Sequence, residues 1–135
     1  MRINSFCAGL AIVGLLCAAA PAPGHHAVQA QFDFDKPIEL KGTLAKVEWV
    51  NPHAYFRLDV KDETGKMRRW GFEAAGPAGL RRAGFARGAN SFTVGDTYTF
   101  VGFMSRDGSD SAYATAVLFP DGRKITIWFG DPFAN

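Results

Sequence analysis

The stretch that decides the fold is "PIELKGTLAKVEWV", residues 37–50. It is long and rich in apolar and β-branched residues, which predicts a strand. Its apolar alternation changes phase between Leu44 and Val47, near Gly42, and such a slip indicates a β-bulge or a strong bend. A long, bent first strand is what a small barrel requires, because this strand must serve both halves of the sheet.

The residues that follow predict two more strands, each joined to its neighbour by a turn. "HAYFRLDV", residues 53–60, alternates apolar and polar side chains, so one face belongs to the core and the other does not. Asn51-Pro52 forms the turn before it, and the glycine in residues 62–66 (DETGK) suits a hairpin turn after it. The third strand, residues 67–75, directs aromatic side chains into the core and Glu73 to the opposite face.

The next segment, "GPAGLRRAGFARG", breaks the alternation and predicts a short helix from Pro77 to Ala83. Three further strands are expected at residues 97–104, 111–119 and 124–129. The resulting fold class is all-β with one short helix, and the order matches the OB-fold, a small Greek-key barrel. We expect this OB-like domain to span residues 37–130, with a tail at residues 131–135. A generic antiparallel sandwich is the alternative, and it does not account for the helix.

Residues 1–24 predict an export signal, and residues 25–36 then form an amino-terminal segment. The apolar run Phe6–Ala20 is shorter than the about 20 residues that a membrane span needs. Small residues three places and one place before the cut favour cleavage after Gly24, which leaves His25 first. We therefore expect a periplasmic or secreted protein that contacts the membrane only before cleavage. An uncleaved anchor is the alternative.

Charge and cysteine content exclude several classes of function. The formal net charge of +2 is too small for the basic surface that nucleic-acid binding requires, so we expect no nucleic-acid partner. Both cysteines fall within the signal, which excludes thiol chemistry from the mature chain. We find no serine nucleophile elbow and no paired-carboxylate signature, so a binding module is favoured over an enzyme. One enzymatic alternative stays open, an oxidative copper enzyme built on an amino-terminal histidine.

Several motifs resemble a family of small exported bacterial proteins that is described only as a domain of unknown function. They include the His25-His26 start, the Trp-x-Asn-Pro-His element at residues 49–53, "RRWGFE" at 68–73 and "LFPDGRK" at 118–124. The chain has Ala27 where the family usually has serine. The resemblance implies an exported protein with this order of elements, and no activity.

The three histidines are the candidate metal ligands. If His25 is the mature terminus, its α-amine and imidazole can bind one ion together, because both titrate near neutral pH. His26 and His53 are the candidates for further nitrogen ligands, and a nitrogen-rich site favours copper(II). Glu48 or Glu73 is expected to supply an oxygen ligand or to accept a hydrogen bond from an imidazole N–H. Cleavage after Pro23 is an alternative that places His26 third. A polar tail with His53 in a turn is the alternative without metal.

The runner-up function needs no metal. Tyr55, Arg57 and Glu73 share the face that points away from the core, and this face is expected to bind a small ligand, a saccharide or a protein partner. The sequence therefore predicts an exported binding module, with copper or a small ligand as its target.

Overall fold

A computed structural model describes residues 25–85 and 92–128 of the 135-residue chain. The elements in chain order are α1 (His25–Gln31), β1 (Phe32–Val50), β2 (His53–Lys61), β3 (Met67–Ala75), α2 (Pro77–Arg82), β4 (Thr97–Ser105), β5 (Ser111–Leu118) and β6 (Lys124–Thr126). The expected signal, residues 1–24, and the tail, residues 131–135, lie outside the described residues. None of the helices in the described ranges is long and apolar enough to cross a membrane.

Most of the described chain is β-structure, in one sheet with the strand order β3-β2-β1-β4-β5-β6. Consecutive strands in this order are antiparallel. A further parallel pairing joins β3 to β5, from Gly71 opposite Ser111 to Glu73 opposite Tyr113. Strands β1 to β5 therefore form a closed ring, and β6 adds to the free side of β5. The predicted all-β class is confirmed at this level.

Strand β1 is the bent strand that the sequence predicts. Its first part pairs with β4 and its second part with β2, and Thr43 pairs with both neighbours. The register shifts between Leu44 and Lys46, which confirms the predicted slip. A Cβ on Gly42 would lie 2.8 Å from the carbonyl oxygen of Asp59, so glycine allows the two backbones to approach where β1 bends. The strand begins at Phe32, earlier than expected.

The core lies inside the ring. Phe56, Phe72 and Phe100 are fully buried, and the Phe100 ring lies 5.1 Å from the Phe56 ring and 5.0 Å from the Phe72 ring. Leu80 of α2 is also fully buried, so this helix packs against the same core. The predicted helix at Pro77–Ala83 is confirmed to within one residue, with Ala83 at its carboxyl-terminal cap. Side chains that alternate with this core along β2 and β3 lie on the opposite face of the sheet.

The expectation of one short helix is wrong, because α1 is a second helix within the amino-terminal segment. Seven residues form a marginal helix on their own, so contacts from elsewhere must stabilise it. The backbone N–H of Arg106 donates to the Gln31 carbonyl at 2.9 Å, and its side-chain Nε donates to the Gln29 carbonyl at 2.9 Å. Both bonds satisfy carbonyls at the end of the helix, where intrahelical partners are missing. No local pattern in the sequence predicts these contacts between α1 and Arg106, which is distant in the chain.

Candidate functional site

The outer face of β1, β2 and β3 brings together most of the residues that the sequence nominates. Tyr55 on β2 stands in register between Glu48 on β1 and Glu73 on β3. His53 and Arg57 flank Tyr55 on the same face, because side chains two residues apart on a strand point the same way. The predicted ligand face is therefore a continuous surface of the folded chain.

His53 and Glu73 form a direct pair on this face. Nδ1 of His53 contacts Oε1 of Glu73, and the two side chains are 35% and 14% exposed, respectively. When Nδ1 carries the proton that faces this carboxylate, a neutral imidazole keeps its lone pair on Nε2. The His53 ring lies edge-on to Tyr55 with 6.4 Å between ring centroids. The pair therefore fixes the orientation of one imidazole nitrogen that is available to a ligand.

A smaller cleft of about 330 Å³ separates this pair from α1. Val28 and Gln31 of α1 form one wall, and Pro52, His53, Tyr55 and Glu73 form the other. Helix α1 begins at His25, three residues before Val28, which is a rise of about 4.5 Å along a helix. The amino-terminal end of the helix is thus one turn away from a residue that faces His53. The side chains of His25 and His26 lie outside the described part of the chain.

A larger cleft of about 390 Å³ opens on the other side of Tyr55. The hairpin between β4 and β5 supplies a wall that includes Ser105, Arg106 and Ser111. Gly71 lies beneath the Arg57 side chain, and a Cβ at position 71 would overlap Nη1 of that guanidinium. The missing side chain therefore lets Arg57 extend across β3 and into the cleft.

Burial raises the pKa of the acidic groups in the middle of this surface. It raises the pKa of the Glu73 carboxyl above its ordinary value, and this effect outweighs the opposing attraction of His53. Burial, together with the charge of Glu73, also raises the pKa of Tyr55. The same two causes raise the pKa of Tyr113 to about 12. Both tyrosines are therefore protonated at neutral pH, and Tyr55, which lines both clefts, offers a hydroxyl group and not a phenolate.

Two other carboxylates near this surface have lowered pKa values. Hydrogen bonds from Ser109, first from its backbone N–H at 2.9 Å, and from Ser105 lower the pKa of Asp107 to about 2. The hydrogen bond from Lys46, at 2.9 Å, lowers the pKa of Glu48. Each carboxylate is ionised at neutral pH, and each already has a partner.

Sequence reasoning missed the walls of both clefts. Gln31, Ser105, Arg106, Asp107 and Ser111 belong to no motif that indicates a ligand site. They reach Tyr55 and Glu73 because β5 pairs in parallel with β3 and because α1 lies over the sheet. The sequence RDGSD at residues 106–110 is typical of a hairpin turn, and this local signal predicts the turn but not what lies beside it in the fold. Among the described residues, no group of three or more His, Cys, Asp or Glu side chains is arranged to hold a metal ion.

The fold and its surface define a small β-protein with two adjoining clefts over one face of its sheet. A model of a family of unknown function, DUF6152, matches residues 11–114. The chain therefore belongs to this family, and its assignment to an uncharacterised family is confirmed. The search of curated proteins gave no match.

Proposed function

We propose that the protein is an exported, periplasmic binding module on an OB-like Greek-key barrel, and that it binds a copper-type ion. The ligands are His25 at the processed amino terminus, His26 and His53. The observation that carries this proposal is the contact between His53 Nδ1 and the Glu73 carboxylate, beside a cleft whose opposite wall is α1. The parallel pairing of β3 with β5, with α2 between β3 and β4, supports the choice of barrel.

The chemistry of the His53–Glu73 pair suits a metal ligand. A carboxylate on one ring nitrogen fixes the tautomer, orients the ring and makes the other nitrogen a better donor. Of the two candidate carboxylates, Glu73 takes this role, because Glu48 is hydrogen-bonded to Lys46 at 2.9 Å. His53 thus supplies one pre-oriented nitrogen on the rigid part of the fold.

The start of α1 supplies the remaining nitrogens. After cleavage behind Gly24, His25 carries both an α-amine and an imidazole, which together bind one ion as a chelate. Val28, one turn along the helix, lines the cleft that His53 also lines, so the terminus begins near the fixed imidazole. Copper(II) is the divalent ion that nitrogen ligands of this kind bind most tightly.

Intact mass and copper titration of the exported protein test this proposal. We expect a chain that begins at His25 and a copper affinity that falls when its α-amine is acetylated, because acetylation removes the amine as a donor and keeps every imidazole. The Glu73→Gln variant should lose less affinity than Glu73→Ala, since the amide oxygen still accepts the Nδ1 proton. Asp59→Asn, which removes a carboxylate paired with Arg69 farther along β2, is the matched control. Unchanged copper binding after acetylation would exclude the amine as a ligand.

A second candidate function is a metal-free module that binds a small ligand, a saccharide or a protein partner. The larger cleft favours it, because about 390 Å³ lies within the size range of small-molecule sites. Tyr55, Arg57 and Glu73 all line that cleft. In this case Tyr55→Ala should impair binding of the ligand or partner, and copper should have no effect on it.

A further inference from the structure

We infer that the larger cleft binds a small organic oxyanion, a carboxylate or a phosphate ester, and that the Arg57 guanidinium is its anchor. This inference rests on the second candidate function and does not depend on copper.

The guanidinium of Arg57 differs from those of two arginines on the neighbouring strand. Arg68 binds Asp110 through Nε and Nη2, at 2.9 and 2.5 Å, and Arg69 binds Asp59 through the same two atoms, each at 2.8 Å. Among the described residues, Arg57 has one salt-bridge partner, Glu48, whose carboxylate oxygen lies 3.6 Å from Nε, a weaker contact than the two-point hydrogen bonds of Arg68 and Arg69. Within residues 25–85 and 92–128, the paired N–H donors of the Arg57 guanidinium therefore stay available to a ligand. A planar acceptor with two oxygens is the group that a guanidinium recognises best.

The position of the Arg57 guanidinium also supports an oxyanion site in the larger cleft. Arg57, Gly71 and Ser111 stand in one row across β2, β3 and β5. Because Gly71 has no side chain, the guanidinium lies over the middle of this row, and Ser111, whose hydroxyl is hydrogen-bonded to that of Ser109 at 2.7 Å, is the next residue in it. An oxyanion in the larger cleft therefore meets charged donors from β2 and a hydroxyl donor from β5.

The carboxylates of the cleft do not compete for Arg57. Glu73 is in contact with His53, and Asp107 accepts hydrogen bonds from Ser109. The volume of about 390 Å³ exceeds what a carboxylate or phosphate group alone would fill, and the side chains of Phe32 and Tyr55 line the remaining space. The ligand is thus an organic molecule that carries an oxyanion, not an inorganic ion.

Three probes of one shape test the inference in solution. Benzoate and phenyl phosphate carry an oxyanion on an aromatic ring, and benzamide offers a similar shape without charge. We expect titration of the metal-free mature protein to shift the amide resonances of residues 57, 71 and 111, with a Kd of about 1 mM or tighter for at least one anion. The anion that binds more tightly shows whether the cleft prefers a carboxylate or a phosphate. Equal binding of benzamide, or no saturable shift with either anion, would overturn the inference.

Two variants and one control locate the binding group. Arg57→Gln removes the guanidinium, and Gly71→Ala displaces it by placing a methyl group where Nη1 lies, with no change in charge. Each should weaken anion binding by about tenfold or more. Arg69→Gln removes the same charge from the adjacent strand and should have little effect. An equal loss of anion affinity in Arg69→Gln would show that the effect is long-range charge attraction, and it would overturn the assignment of Arg57 as the anchor.

The result of the anion-binding test can be distinguished from the result of the copper-binding test. His25→Ala should weaken copper binding and leave anion binding intact, because the described residues that α1 contributes to the larger cleft, Ala30 and Gln31, belong to its last turn. Arg57→Gln should do the reverse. Thermal unfolding of each variant verifies that it is folded.

Discussion

Removal of the Arg106 side chain should loosen α1 without disturbing the sheet. Its Nε donates to the Gln29 carbonyl at 2.9 Å, and its Nη1 lies 3.7 Å from Asp33. A hydrogen bond to a charged donor contributes about 1.5–3 kcal/mol, and the half-exposed position of this side chain reduces that to about 1 kcal/mol. The bond from the backbone N–H of Arg106 to Gln31 survives the substitution. Arg106→Ala should therefore raise the opening equilibrium of α1 about fivefold.

Amide hydrogen exchange measures this opening directly. The amides of residues 29–31 are the informative probes, because the first four N–H groups of a helix have no intrahelical acceptor. They should exchange about fivefold faster in Arg106→Ala, while amides in the interior of β2 keep their rates. Arg123→Ala is the matched control, since Arg123 is also an exposed arginine in a hairpin turn and pairs with Asp121 in that turn. Unchanged exchange at residues 29–31 would refute the role given to Arg106, and so would equal acceleration throughout the sheet.

Three further predictions concern stability. Phe72→Ala should lower the free energy of unfolding by about 3–5 kcal/mol in urea denaturation, because this ring is fully buried, whereas Met67→Ala at an exposed position should change it by less than about 0.5 kcal/mol. Gly102→Ala should cost about 1–3 kcal/mol in the same assay, since its Cβ would overlap the carbonyl oxygen of Tyr113 and force two strands apart; full retention of stability would contradict this. The lowered pKa of Asp107 means that its stabilising effect is present above its ordinary value of 3.8 and is lost as the pH falls to about 2. Asp107→Asn should therefore reduce the decrease in the free energy of unfolding as the pH falls. A carboxyl resonance of Asp107 that titrates near 3.8 in NMR would contradict the lowered pKa.

Much of the sheet was predictable because its signals are local. The alternation in β2 separates Phe56 from Tyr55 in the sequence itself, and burial confirms the assignment. The glycine expected in the hairpin turn at residues 62–66, Gly65, has a positive φ of 85°, and Gly84, which follows α2, has a positive φ of 94°. The phase slip in β1 is also visible in its apolar pattern. Each of these features depends on residues within one turn or one strand.

The rest could not be predicted because it depends on distant partners. The last strand was expected to reach residue 129, yet β6 ends at Thr126, and the N–H groups of Ile127 and Trp128 both point to the Thr115 carbonyl. Helix α1 needs Arg106, which lies 77 residues from Gln29. The sequence nominated His53, Tyr55, Arg57 and Glu73 as one face, and the second wall of each cleft follows only from the tertiary fold.

The parallel pairing of β3 with β5 gives the larger cleft a mechanical consequence. Gly71 and Glu73 on one strand and Ser111 and Ala112 on the other line this cleft, and three residue pairs join the two strands. A molecule held there contacts both sides of the junction that closes the ring, so separating β3 from β5 would require its release. Binding in the larger cleft is then linked by mass action to the pairing of β3 with β5. The melting temperature of the protein should therefore rise with the concentration of the ligand that fills the cleft.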